Sequence, residues 1–192
     1  MAKKNKAEKQ ELSPAPAPGA PQRRFPPHLV RFLWIFPLVM IVGFGLLLAP
    51  FTQPAIEKAT SVLVTVTAAA IRVCGGHAQA QNNLLRNPIS GFAIEVKDTC
   101  NASNVTILLW AAILAFPAPL AQKLKGALAA TVMLHAINIL RIVSLFYLGQ
   151  FDNAWFEFAH VYVWEGLIVL VTLVLFWMWV QQVYRAQRTV RA

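Results

Sequence analysis

Apolar residues in this chain gather into long runs instead of alternating with polar ones. Four such runs, Leu33 to Ala49, Asn104 to Leu120, Gly126 to Leu148 and Val161 to Val180, are each close to the length an α-helix needs to cross the hydrocarbon core of a bilayer. They predict an all-α integral membrane protein with about four transmembrane helices. A fifth apolar stretch, "IEKATSVLVTVTAAAIRV" at Ile56 to Val73, has charged ends and many Thr and Val residues. It reads as an amphipathic helix at the interface, because a fifth crossing would put the two basic ends of the chain on opposite sides. After it "CGGHAQAQNN" reads as a loop. "NLLRNPISGFAIEVKD" then reads as a short hairpin, with Phe92, Ile94 and Val96 alternating against Ala93, Glu95 and Lys97. A small external segment, residues 50–103, therefore separates the first span from the second.

Composition agrees with this pattern: 57% of residues are hydrophobic and only 13% charged, which excludes an ordinary soluble domain. The net charge of +9 would suggest nucleic acid on a soluble protein. Here the bases flank apolar runs and orient the chain instead. Arg23, Arg24 and Arg31 precede or open the first run, Lys123 and Lys125 lie between the second and third, and Arg185, Arg188 and Arg191 follow the fourth. The positive-inside rule then expects both termini in the cytoplasm of a bacterial plasma membrane, with residues 50–103 and 149–160 outside. Residues 1–30 read as a disordered basic tail, 31–182 as the membrane domain and 183–192 as a second basic tail. The first run has no A-x-A-like site after it and reads as a retained anchor.

Three reactive side chains reach one depth on this topology. Cys100 in "DTCNAS" stands at the external end of the second span, where the positive end of the helix dipole favours a thiolate. Arg141 in "NILRI" lies inside the third span, where a charge costs about 2.5 to 3.5 kcal/mol even on mild scales. His160 in "FAH" opens the fourth. Together they suffice for acyl transfer, with a sulfur nucleophile, an imidazole that moves protons and a guanidinium for developing negative charge. Asn138, one turn from Arg141, could orient it, Glu165 could be its counter-ion, and Asp98 could hold His160 or a substrate. Each has a blander reading: a buried thiol, a snorkelling arginine, a helix-helix amide contact or a solvated turn. His135, off the face of Arg141, reads as a packed histidine. Cys74 and His77 in "CGGH" make only half a zinc site, so no metal and no cofactor are expected. Two other classes remain: a non-enzymatic scaffold with a Cys74–Cys100 disulfide, and a small transporter component using the intramembrane polar residues.

"DTCNAS", "NILRI" and "FAH", in that order and at that depth, resemble the Cys, Arg, His pattern of the exosortase/archaeosortase family, and the short chain resembles its compact exosortase H subtype. The resemblance implies a membrane cysteine transpeptidase with Cys100, Arg141 and His160 as its catalytic residues. It implies exported protein substrates that end in a short motif, a transmembrane helix and a basic tail, cleaved through a thioester and passed to an acceptor. The family often has a glycine shortly after its cysteine, where this chain reads Asn101, Ala102, Ser103.

Overall fold

The structure, a computed structural model, describes residues 27–97 and 100–191. In chain order it contains α1 (Pro27–Leu48), α2 (Gln53–Val73), β1 (Gln79–Gln81), β2 (Leu84–Arg86), β3 (Ala93–Glu95), α3 (Ser103–Ala115), α4 (Leu120–Phe151) and α5 (Asn153–Phe158). A π-helical turn, Ala159–Val163, then joins α5 to α6 (Trp164–Arg191). The helices α1, α2, α4 and the joined α5–α6 are long and apolar enough to cross a membrane. Leu33, Trp34 and Ile41 of α1, Val132 of α4, and Leu173 and Trp177 of α6 are exposed. An apolar belt of this extent is stable only against lipid, and the chain is an all-α multi-pass membrane protein.

Two separate cores organise it. One is the interior of the bundle, where Leu109 and Ile113 of α3 meet Ala127, Ala130 and Leu134 of α4 and Ile168, Trp179 and Val183 of α6. The other joins Leu63, Val64, Ala68 and Ile71 of α2 to Leu85 of β2, Val96 after β3, and Ile142 and Phe146 near the far end of α4. Helix α2 is thus long enough to cross, yet its buried face packs on the sheet and the end of α4 and contributes nothing to the bundle interior. The apolar runs predict α2 at the interface and α3 as a crossing, whereas by length and composition α2 is long enough to cross and the 13-residue α3 is a shorter apolar helix. Among its described residues, helix α1 adds no buried side chain to either core; it lies along α3, where Gly43 admits Ile107.

Two segments depart from the hydropathy pattern. The second apolar run does not continue as a helix to Leu120: α3 ends at Ala115 because Pro117 and Pro119 follow, and Phe116 before the proline is extended at φ −69°, ψ 141°. Helix α4 starts at Leu120, so Lys123 lies in its first turns and not in a connecting loop. Lys123 is buried and its Nζ donates to the Leu114 carbonyl at 2.5 Å, satisfying an orphan acceptor at the end of α3. The second departure is β1, read from sequence as loop. The sheet is antiparallel in the order β1-β2-β3, with Ala80 opposite Leu85 and Leu85 opposite Ile94. The alternation read over residues 92–97 is present, with Phe92, Ile94 and Val96 turned inward and Ala93, Glu95 and Lys97 exposed.

At the end away from the sheet, α4 and α6 cross closely because Gly126 has no side chain. A Cβ there would collide with the indole of Trp179, whose Nε1 donates to the Gln122 carbonyl at 3.2 Å. Gly126→Val is expected to destabilise the bundle by about 1 to 3 kcal/mol through overpacking. Thermal unfolding in detergent micelles should show a lowered Tm. An unchanged Tm would mean that this crossing is looser than described.

Candidate active site

The site lies at the seam between the two cores. Cys100 is half-buried against the outer core, in a turn closed by its backbone N–H donating to the Lys97 carbonyl at 2.8 Å. Asn101, buried, shapes the next step: its Nδ2 donates to Thr60 Oγ1 of α2 at 3.0 Å, and its Oδ1 accepts the Ser103 N–H at 3.0 Å. The amide therefore ties α2 to the start of α3 and satisfies one of that helix's orphan donors. Between them Ala102 takes φ 64°, ψ 8°, the left-handed conformation that glycine occupies without cost. The backbone thus makes a glycine-like turn after the cysteine with alanine in place.

Helix α4 supplies the central column. Asn138 and Arg141 are three residues apart and both buried, within a face completed by Leu134, Ile142 and Leu145. Asn138 Nδ2 donates to the Cys100 carbonyl at 3.0 Å. Its Oδ1 is buried with no partner among the described residues, yet reversing the amide would set two oxygens against each other, so its orientation is determined. Asn138 consequently binds the cysteine turn, and not Arg141 as the sequence suggested.

His160 arrives from the π-helical turn, in which the Trp164 N–H reaches back to the Ala159 carbonyl. Its ring stacks on Phe156, centroids 5.7 Å apart and planes 11° from parallel. Nε2 lies 4.0 Å from Cys100 Sγ and Nδ1 lies 3.4 Å from Arg141 Nη2. The same Nη2 is 3.8 Å from Glu165 Oε2. In an α-helix, residues five apart point about 140° away from each other. The i→i+5 closure of the π-turn draws them toward one face, and His160 and Glu165 meet a single guanidinium nitrogen as a result. A guanidinium only donates, so a hydrogen bond in this contact makes Nδ1 the acceptor and assigns the proton of a neutral imidazole to Nε2, facing sulfur.

The structure thus brings Cys100, Arg141, His160, Asn138 and Glu165 into one connected group. Asp98 lies outside the described residues. His135 is elsewhere: its Nδ1 is 3.0 Å from the Thr131 carbonyl, and its ring lines an apolar cavity of about 390 Å³ between α1 and α3. Cys74, exposed after α2, is not bonded to Cys100, so the disulfide of the scaffold reading is absent. Thr60, Phe156 and the π-turn were not read from sequence. Only Phe156 left a signal, an aromatic one helical turn before a histidine.

The turn at Ala102 yields a direct expectation. The left-handed conformation costs a non-glycine residue about 1 to 2 kcal/mol, partly offset in a glycine variant by the greater freedom of its unfolded chain. Ala102→Gly should be neutral or stabilising by up to about 1 kcal/mol, whereas β-branched Ala102→Val should lower the Tm clearly. A loss of stability on Ala102→Gly would contradict the assigned backbone.

The chain matches the family model described as Transmembrane exosortase over residues 26–179, a range that contains Cys100, Arg141, His160 and Glu165. No curated protein and no solved structure matches it. A match over this much of the chain shows the family that the three motifs resemble, and the chain belongs to the transmembrane exosortase family.

Proposed function

We propose that the protein is a membrane-embedded cysteine transpeptidase that cleaves the C-terminal sorting signals of exported proteins, with Cys100 as nucleophile. The observation that supports this best is the contact sequence from Cys100 Sγ to His160 to Arg141, built from three segments distant in sequence. Cys100 Sγ attacks the scissile carbonyl and forms a thioester. His160 exchanges protons with the sulfur and with the departing amine. Arg141 meets the charge that develops on the carbonyl oxygen. An acceptor nucleophile, or water, then releases the acyl group.

The sheet end of the bundle is the external face in this reading. Lys125 and the α6 segment near Ala186 line one cavity at the opposite end, and Arg31 of α1 lies within electrostatic reach of Lys123. Basic groups from α1 and α4 thus gather there, with Arg185 and Arg188 flanking Ala186 in the sequence of α6, as the positive-inside rule asks of a cytoplasmic face. A substrate helix in the same bilayer, with its own basic tail toward that face, would present its emerging peptide bond at the height of Cys100.

Cys100→Ala is expected to abolish processing of a co-expressed substrate while the protein stays in the membrane. Arg141→Ala and His160→Ala should each lower processing by about 10²-fold or more. Immunoblots of substrate size in membrane fractions read the outcome. Identical mature substrate in wild type and Cys100→Ala would end the proposal.

A further inference from the structure

The contact between Arg141 and His160 is at odds with the base step that the proposed reaction needs. While the guanidinium donates to Nδ1, the imidazole proton remains on Nε2, and Nε2 has no lone pair with which to take the proton of Cys100. The arrangement is therefore a resting one. For His160 to act as a base, Arg141 must leave Nδ1, the ring proton must move there, and an acceptor must hold it.

Among the described residues, Glu165 is the carboxylate placed to accept it. Its Oε2 lies 3.8 Å from the same Nη2 that is 3.4 Å from Nδ1, so the carboxylate already borders the position the guanidinium would vacate. The Glu165 side chain is 66% exposed, against 6% for Arg141, and can change rotamer without disturbing either core. It stands five residues after His160 across the π-turn, which is the feature that puts both on Arg141. At 3.4 Å the Arg141 contact is also at the long end for a hydrogen bond, and so easily exchanged.

We infer that Glu165 is a positioning residue for His160, and that Arg141 and Glu165 exchange on Nδ1 as Arg141 turns toward the substrate carbonyl. This rests on the cysteine-peptidase reading above. Departure of Arg141 lets the ring proton pass from Nε2 to Nδ1 through water, where Glu165 accepts its hydrogen bond. The Sγ–H bond then breaks toward Nε2 as the Sγ–C bond forms, and the carbonyl electron pair moves onto oxygen beside Arg141. On collapse the C–N bond breaks and the Nε2 proton leaves with the amine, restoring neutral imidazole. Glu165 stays ionised throughout and holds the tautomer, as a carboxylate does in a Ser-His-Asp triad.

The test is the tautomer of His160, read by long-range proton–nitrogen NMR on the full chain, labelled with ¹⁵N-histidine, in micelles. His160→Gln assigns the signal among the four histidines. Wild type should carry the proton on Nε2, Arg141→Met should carry it on Nδ1, and the double variant Arg141→Met, Glu165→Gln should lose that preference. A wild-type proton on Nδ1, or the same tautomer in the single and double variants, overturns the inference. Should Arg141→Met fail to fold, Glu165→Gln alone decides, because an exposed side chain is not needed for folding. Toward a purified fusion protein ending in a hydrophobic helix and basic tail, its kcat should fall about 10²-fold with KM within about twofold, and Glu165→Asp should recover part of the loss. Unchanged kcat, or a loss confined to KM, overturns the inference equally. The spectrum needs no substrate, so a failed peptidase reading, seen as processing that survives Cys100→Ala, is distinguishable from a failed tautomer exchange.

Discussion

A guanidinium buried within a transmembrane helix is the constraint around which the rest of this molecule is arranged. Arg141 is 5% exposed, carries a permanent charge and can only donate hydrogen bonds. It therefore requires acceptors at its own depth, and the chain supplies two from one segment, the ring nitrogen of His160 and the carboxylate of Glu165. Regular α-helix would turn one of them away. The π-turn at Ala159–Val163 holds both in place, and the stacking of Phe156 on His160 sets the ring plane. One turn below Arg141, Asn138 fixes the carbonyl of Cys100. A single face of α4 thus positions groups from two other parts of the chain.

The division into two cores explains why the site is where it is. The α3–α4–α6 interior is continuous apolar packing, suited to lipid surroundings but hostile to charge, whereas α2 and the sheet form a cover over the end of α4. Reactive groups at the seam are held by both layers, with the exposed carboxylate of Glu165 at their edge. Asn101 links the two layers through Thr60, and Ala102 pays for the sharp turn with a left-handed backbone. The conformation that a glycine would take freely is thereby kept with alanine, at a modest cost in stability.

Much of this was legible in the sequence, and for physical reasons. Hydropathy and the basic clusters revealed a multi-pass membrane protein, and Arg141 stood out because a charge in an apolar run is expensive. Depth along each run was enough to bring Cys100, Arg141 and His160 to one level. What was hidden depends on backbone detail that residue types do not encode. Nothing in "FAHVYVWEG" distinguishes a π-turn from α-helix, and nothing marks Ala102 as left-handed. The strand β1 is only three residues, Gln79–Gln81, and its alternation of glutamine with a small alanine is too short and too weakly apolar to reveal it. Helix α3, by contrast, carried its stop signal openly in "FPAP", which the overall hydropathy of the run outweighed. Lys123 was read as a loop residue because a buried lysine serving a helix end depends on the neighbouring helix, not on its own surroundings in sequence.

Attack by Cys100 Sγ, as proposed, leaves the substrate's acyl group on sulfur, and that covalent intermediate is itself observable. Intact-mass spectrometry of the purified protein after brief mixing with a substrate fusion should show an adduct equal to the acyl portion, located on Cys100 by proteolytic mapping and released by hydroxylamine as a thioester would be. Substrate cleaved with no adduct on Cys100, or an adduct that persists in Cys100→Ala, would rule Cys100 out as the nucleophile.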